Sequence, residues 1–571
     1  MGLNQEHERV GRSRFAVALS LCQSQGNPEI RSAGLNVNPV STDVMNNVPQ
    51  GNQPIFIMKE GTERIRGKPA QSNNIAAAKA VAETVRSTLG PEGADKMLVD
   101  PSGDVVITND GATILNRLDV EHPAAKLIIE VSETQEQEAH DGTTSAAVLV
   151  GAILERAEDL LDDSIHQTII CRGFKEAHDL AKDELATLGW EATEEDLTSV
   201  AMTSLTGKSA EGAAEVISAM CVEAVQTIGD EGTLDDIMVA SFSGGTYDES
   251  ALIHGVLIEK ERAHSEMPAS LSDAHVLLVT EEIGIKESKF DTTLNINNPD
   301  QVKDFLAQEE EMLKAMCAEI ISTGANAVFC QKEVDDLAMH YLAKAGIFCL
   351  KRVKKSRMEA LKKATGARFV NGLEDIDPED MGLASNIEEV KFGDYHCTVL
   401  KSDRTTSVTA VLRGSTGHSL DEIERAWDDA MGVVFLSARA KKLVAGGGGV
   451  YAHLARHLRL KAATMGDRKG MAISAFSDAL ESIPKTLAEN AGIDPVDAVL
   501  ALRKAESADY GINTEGDVVN MRDAKVIEPH KVVWTALGSA TEAAIMILRI
   551  DDVISMKAGD GGMPPMPGMM G

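Results

Sequence analysis

Three short segments between Leu89 and Thr144 hold the side chains with the clearest chemical use in this chain. They read Leu89-Gly-Pro-Glu-Gly93, Thr108-Asn-Asp-Gly-Ala-Thr113 and His140-Asp-Gly-Thr-Thr144. Each joins glycine to a hydroxyl or carboxylate side chain. Glycine lets a backbone approach a ligand closely and adopt positive φ. Thr143 and Thr144 open an apolar run, Ala146 to Leu161, that predicts a helix. A helix start offers free N–H groups and the positive end of the dipole, which suits a phosphate. Asp141 stands beside that anion site, where a hard Mg²⁺ bridging phosphates would want a carboxylate. Asp110 is a second acid that could orient water. An isolated Asp-Gly is ordinarily a turn. Three such loops within 56 residues are harder to read that way, but spacing alone leaves both readings open.

The elements around these loops are legible from periodicity. Ile75 to Val85 predicts a helix by propensity, and Asp104 to Thr108 a short strand before the Asn109-Asp110-Gly111 turn. Residues 53–192 read as helix-rich and 193–262 as mixed. Within 263–414, Ala274–Thr280, Ala327–Cys330 and Ile347–Leu350 are apolar strand runs separated by helical patterns, which suits an α/β domain. One long amphipathic segment places Val302, Phe305, Leu306, Met312, Leu313, Met316, Cys317, Ile320 and Ile321 on one helix face. An ordinary packing helix explains most of that stripe. Residues 415–445 return to helix, and 446–560 are helix-rich again. The first and last parts therefore resemble each other and enclose a different middle. Gly446 to Gly449 precede a second helix start, Val450 to Leu460. The tail after Lys557 is Gly- and Met-rich, low in complexity, and expected to be disordered.

Composition bounds the function. A chain of 571 residues should hold several domains. Hydrophobic content is 43% but aromatic content only 4%, so aliphatic side chains must fill the cores. Lys+Arg 55 against Asp+Glu 89 gives a net charge of −34, which argues against general nucleic-acid binding and against anionic membranes. The seven cysteines, Cys22, Cys171, Cys221, Cys317, Cys330, Cys349 and Cys397, form no C-x-x-C pair. Free thiols in a reducing cytoplasm are expected, without zinc. No apolar run reaches the ~18–20 residues a transmembrane helix needs.

From about Gln53 to Lys557 the chain resembles a group II chaperonin of the archaeal thermosome type. The matching segments are long and in order: Gln53-Pro-Ile-Phe-Ile-Met-Lys-Glu-Gly, the Thr88–Leu115 block, Asp141-Gly-Thr-Thr-Ser, Gly324-Ala-Asn-Ala-Val-Phe-Cys-Gln-Lys, Tyr341-Leu-Ala-Lys-Ala-Gly-Ile, Arg352-Val-Lys-Lys-Ser, Val444-Ala-Gly-Gly-Gly-Gly and Ile547-Leu-Arg-Ile-Asp-Asp-Val-Ile. The resemblance implies a multidomain α+β subunit. A mostly helical equatorial domain would span 53–192 and 446–557, and a small mixed intermediate domain 193–262 and 415–445. An α/β apical domain would span 263–414, with a helical protrusion, the built-in lid, at about 290–322. Residues 1–52 fall outside the match. Their apolar island Phe15–Cys22 follows Arg12 and Arg14 and is faintly like a signal peptide. A disordered extension or an upstream start is the expectation, with Met45 and Met58 as alternative starts.

By the same resemblance, the activity is ATP hydrolysis with Mg²⁺ that drives protein folding in the cytoplasm, with Asp141 as the metal ligand. Gly142, Thr143, Thr144 and Ser145 hold phosphates, and Leu89, Gly90 and Pro91 form the facing loop. Asp110, with Gly111 beside it, and Asp429 are the water-positioning acids. Gly447 and Gly448 meet the nucleotide from the second helix start. Asp523 would bind ribose, and Asn513 would lie near the base. Thr206-Gly-Lys-Ser209 invites a P-loop reading, but Met202 stands where the pattern needs glycine. In the family this stretch senses nucleotide, with Lys208 meeting the γ-phosphate. Gly447-x-Gly449-x-x-Ala452 lacks the βαβ context of a dinucleotide fold. His453 and His457, four apart, could share a metal, but no acidic third ligand sits at a familiar spacing.

Four residues depart from the family pattern. Glu92 stands where lysine is usual, His140 where glycine is usual, and Asn520 and Lys525 where aspartate and glycine are usual. The expectation is a retained ATPase that Glu92 and His140 could slow. It would sit in a double ring, homo- or hetero-oligomeric with paralogous subunits, that encloses non-native protein. The alternative is a weakly hydrolysing or non-hydrolysing holdase that co-assembles with a more typical paralogue.

Overall fold

The computed structural model describes residues 62–103, 105–208, 211–285, 299–373, 376–403, 407–505 and 507–556. The expectations for residues 1–52, for residues 290–298 of the protrusion and for the tail lie outside these.

Three cores organise the rest. In the first, the alanine-rich run becomes the Lys68–Arg86 helix, which buries Ile75, Ala78, Val81, Ala82 and Val85 on one face. That face meets the Thr143–Asp162 helix, which is apolar around most of its circumference and buried accordingly. The same core takes in the helices Gln167–Thr187, Gly449–Ala463, Arg468–Leu480 and His530–Arg549. Phe174 and Phe476 touch across it with ring centroids 5.6 Å apart. Early and late segments of the described chain thus share one hydrophobic core.

The His530–Arg549 helix is long and apolar enough to cross a bilayer by length and composition. Lys531, Glu542 and Arg549 punctuate it, so it is not an uninterrupted apolar run. Here Val533, Ala536, Leu537, Ala540, Ala544, Ile547 and Leu548 are buried in the shared core.

The second core belongs to a seven-stranded sheet. Phe348–Leu350, Ala327–Cys330, Ser270–Val279 and Phe369–Val370 run parallel, and Gly382–Phe392, Tyr395–Lys401 and Val256–Ile258 continue it antiparallel. Along Ser270–Val279, Val276 and Leu278 enter one hydrophobic cluster, while Leu277 and Val279 enter another. Alternation with a period of two therefore buries both faces, as expected for strands covered by helices on each side. In the Pro299–Ser322 helix, Leu313, Cys317 and Ile320 are buried, whereas Leu306, Met312 and Ile321 are exposed. The apolar stripe read from sequence is thus only partly a packing face.

A third core joins the helices Glu194–Leu205, Ala214–Ile228 and Gly417–Ala440 to a three-stranded sheet. Trp427 is fully buried there, and truncating such a side chain typically costs about 3–5 kcal/mol. Strand pairing cuts across the segment boundaries drawn from sequence. Val408–Gly414 lies parallel to Ile237–Ser243 in this small sheet, whereas Val256–Ile258 belongs to the large one. Lys442–Ala445 pairs with Ile527–Pro529 and Trp190–Glu191. Hydrophobic runs show that a strand exists, but its partner is a long-range choice.

Candidate nucleotide site

A cavity of about 570 Å³ opens where the first and third cores meet. The predicted loops converge on it, each fixed by identifiable bonds. Asn490 Nδ2 donates to the carbonyls of Leu89 at 2.7 Å and Arg86 at 3.2 Å, which sets the Leu89-Gly90-Pro91 loop. Asp110 caps the short Gly111–Arg117 helix, with Oδ2 accepting the Thr113 N–H at 2.7 Å. Its Oδ1 accepts the Thr143 hydroxyl at 3.4 Å, which ties the second loop to the third.

The third loop forms at a helix start. Gly142 has φ +77° and gives the Thr143–Asp162 helix no side-chain cap. The first N–H groups of that helix are therefore open to an anion. Asp141 Oδ1 accepts the Gly142 N–H, and Gln135 Nε2 holds the Asp141 carbonyl, both at 2.7 Å. Gly448, with φ +74°, opens the Gly449–Ala463 helix in the same uncapped way. Two free helix starts thus face one cavity.

Lys208 arrives on the turn after Glu194–Leu205, a helix started by a Thr193/Asp196 capping box. A helix and not a strand precedes Thr206-Gly-Lys, so the P-loop context is absent. Lys208 Nζ is ion-paired with Asp429 of the Gly417–Ala440 helix. Burial works against the lysine charge, but Asp429, Asp141 and Asp110 outweigh it and hold the ammonium above its ordinary pKa. Burial pushes the Asp429 carboxyl up to about 7, with Lys208 opposing and Asp110 and Asp141 adding.

Leu89, Gly90, Pro91, Asp110, Asp141, Gly142, Thr143, Thr144, Ser145, Lys208, Asp429, Gly447, Gly448 and Asn513 all line the cavity. Two predicted residues do not. Gly111 sits behind the wall, where an added Cβ would overlap the Thr144 hydroxyl and backbone, so its part is to let the second and third loops touch. Asp523 is exposed on the turn after Val518–Asn520, with its N–H on Asn520 Oδ1 at 3.2 Å. The carboxylate that faces the cavity nearby is Glu528, pushed up to about 8 by burial with Asp141 adding. Glu136 joins it, raised to about 8 by burial and by Asp429 and Asp110. Neither belongs to a loop motif. Glu136 lies one helical turn before His140 and could have been found by spacing, whereas nothing local marks Glu528.

The departures are also placed. Glu92 lines the cavity and is exposed. His140 has φ +57°, as the usual glycine would permit, and Lys525 has φ +59°. Each such left-handed position costs a non-glycine residue about 1 kcal/mol or more. The His140 ring lies against Gly432, where an added Cβ would overlap it. Burial, with Lys531 adding, holds the imidazole below its ordinary pKa. Away from the cavity, His453 and His457 meet Glu184 of the Gln167–Thr187 helix at 3.0 and 3.1 Å, an acidic partner that no sequence spacing revealed.

A half-open cavity with two uncapped helix starts, clustered carboxylates and a paired lysine, built from early and late segments of the chain, is an arrangement that can receive a phosphate compound with a cation. The comparisons give the family. Residues 81–558 match the model of the TCP-1/cpn60 chaperonin family. The chain is 47% identical over 536 residues to the thermosome subunit beta of Methanothermobacter thermautotrophicus, covering 90% of this chain and 100% of that protein. It is 47% identical to the thermosome subunit of Methanocaldococcus jannaschii (89% and 98% covered) and 44% identical to thermosome subunit 1 of Haloferax volcanii (90% and 93%). The chain belongs to the TCP-1/cpn60 chaperonin family, in its archaeal, group II branch. Its function is that of a chaperonin, an ATP-dependent protein-folding chaperone.

Proposed function

We propose that this cavity binds Mg²⁺-ATP and hydrolyses it, and that the hydrolysis drives folding of enclosed protein. The observation that carries this reading is the meeting of Asp110, Asp141 and Asp429 with two uncapped helix starts in one cavity. Seven carboxylates (Glu92, Asp110, Glu136, Asp141, Glu195, Asp429, Glu528) and two lysines (Lys208, Lys525) line it. A triphosphate alone would be repelled by that wall. The donor set fits a hard divalent cation, so the residues present suit Mg²⁺ bound with the nucleotide.

Asp141 would hold the metal, with Asp110 beside it. When bound, Mg²⁺ neutralises phosphate charge and stabilises the charge that develops during transfer. The N–H groups and hydroxyls of Thr143, Thr144 and Ser145 cradle phosphate oxygens, and Gly447 and Gly448 approach from the other helix start. Ile483, Leu487, Ala491 and Ile512 supply an apolar wall for the base, with Asn513 at its edge. Asp110 and Asp429 orient water, and a carboxyl near 7 can accept a proton at neutral pH. Lys208 exchanges its Asp429 partner for the terminal phosphate, which couples the phosphate to the Gly417–Ala440 helix. Glu92 and the left-handed His140 slow the site without removing it.

The subunit would act in a double ring with paralogous or identical copies in the cytoplasm. Exposed apolar side chains on two small sheets support assembly: Met97, Val99 and Ile107 on one, Ile65 and Ile554 on the other. In this reading the helical body is the equatorial domain, the small sheet the intermediate domain and the seven-stranded sheet the apical domain, with the Pro299–Ser322 helix entering the lid. The test is refolding of a denatured client by ring-sized particles with Mg²⁺-ATP, beside Asp141→Ala. Recovery by the wild type alone supports the proposal. Equal recovery without nucleotide would favour the holdase reading.

A further inference from the structure

A second constellation lies beside the seven-stranded sheet, on a turn and a helix that line no part of the nucleotide cavity. His264, Glu266 and His340 each offer one ligand atom, and these atoms all lie within 4.8 Å of one another. Among the described residues this is the one trio of His, Cys, Asp or Glu that meets that spacing.

The trio is built by two anchored elements. Met267 N–H donates to the His264 carbonyl at 3.1 Å, closing a tight turn that carries both His264 and Glu266. Ahead of the turn, Ala263 N–H donates to the Cys349 carbonyl at 2.9 Å. Behind it, Met267 is buried in the same core as Ala338 and Met339. Those two belong to the Asp336–Lys344 helix, which carries His340 and is capped by Asp335 through the Leu337 N–H at 2.8 Å. Turn and helix therefore rest on one core, and the two imidazoles meet edge to face with centroids 6.2 Å apart at 70°.

The donor chemistry selects the ligand. Two imidazoles and a carboxylate suit Zn²⁺, Co²⁺ or Ni²⁺, whereas Mg²⁺ prefers oxygen donors and retained waters. His264 is half-buried while Glu266 and His340 are exposed, so water can complete the coordination. The Glu266 N–H now reaches His264 Nδ1 at a long 3.2 Å, a bond that ligation can replace at little cost.

We propose that His264, Glu266 and His340 form a surface site for a divalent transition metal of the zinc class, which clamps the 263–267 turn to the Asp336–Lys344 helix. Nothing in this site depends on nucleotide. The experiment is a Zn²⁺ titration of the assembled, full-length protein in excess Mg²⁺, followed by calorimetry, with Co²⁺ absorption as a second readout. His264→Ala and His340→Ala should each weaken a stoichiometric Zn²⁺ site by about tenfold or more and abolish the Co²⁺ spectrum, with Glu266→Gln weaker in effect. ATP turnover in Mg²⁺ alone should be unchanged in all three. His453→Ala is the control for adventitious histidine binding and should leave the titration as in the wild type. Unchanged Zn²⁺ affinity in His264→Ala and His340→Ala, no stoichiometric Zn²⁺ binding in the wild type, or loss of the site in His453→Ala would overturn the proposal.

Discussion

The His140 imidazole rests against the backbone of Gly432, one helical turn from Asp429 on the same helix. Asp141, the next residue in the chain, lines the cavity that Asp429 also faces. One side chain thus links the loop proposed to hold the metal to the helix that carries Asp429, the acid proposed to position water. The residue that strains the loop at φ +57° also braces it.

The contact predicts coupling between the two positions. Gly432→Ala should lower Tm in the wild-type background, because its Cβ would overlap the ring, and should be tolerated with His140→Gly. A double-mutant cycle followed by thermal unfolding should give a coupling of about 0.5–3 kcal/mol. Additive effects would mean the ring does not bear on the helix.

Glu92→Lys should reverse a charge at the cavity wall. Together with His140→Gly it should raise turnover several-fold, and mainly through KM for Glu92→Lys alone, since phosphate attraction acts on the bound ground state as well. Steady-state kinetics that show no gain in either variant would mean these departures do not slow the site.

Asn490 holds the Leu89 loop through two carbonyls and has no chemistry of its own. Asn490→Ala should raise KM for ATP while changing kcat little. A fall in kcat at unchanged KM would assign it a different part.

Glu136 carries a pH signature. Its folded pKa of about 8 exceeds the ordinary 4.5, so the native state holds a proton the unfolded chain has lost. This group therefore makes ligand-free stability fall as pH rises from about 4.5 to 8, where its full penalty is reached. Glu136→Gln should remove that penalty, on the order of 2–4 kcal/mol at pH 8–9, and flatten the profile. Denaturant unfolding at pH 5 and pH 9 checks it. A variant less stable than wild type at pH 9 would contradict the account.

The loops were legible because their chemistry is local: Asp110-Gly111 and Asp141-Gly142 sit beside the helices they start. Glu528 was not legible because it lies only five positions after Asp523, and tertiary packing alone decides that the half-buried Glu528 lines the cavity while Asp523 is exposed. The Glu184 partner of His453 lies 269 residues away, beyond any spacing rule. Strand existence followed from apolar runs such as Ala327–Cys330, but Val408–Gly414 found its parallel partner across the whole seven-stranded insertion. The left-handed backbone at His140 and Lys525 was readable only as the place of a missing glycine.

In the proposed mechanism, Asp110 and Asp429 position water for hydrolysis in this cavity. The most direct measurement of this role is Mg²⁺-dependent ATP hydrolysis by size-fractionated rings, beside Asp110→Ala and Asp429→Ala. The account predicts turnover in the wild type and its loss in both variants, with nucleotide still bound. Ring-sized wild-type particles whose turnover does not exceed that of the variants would contradict it.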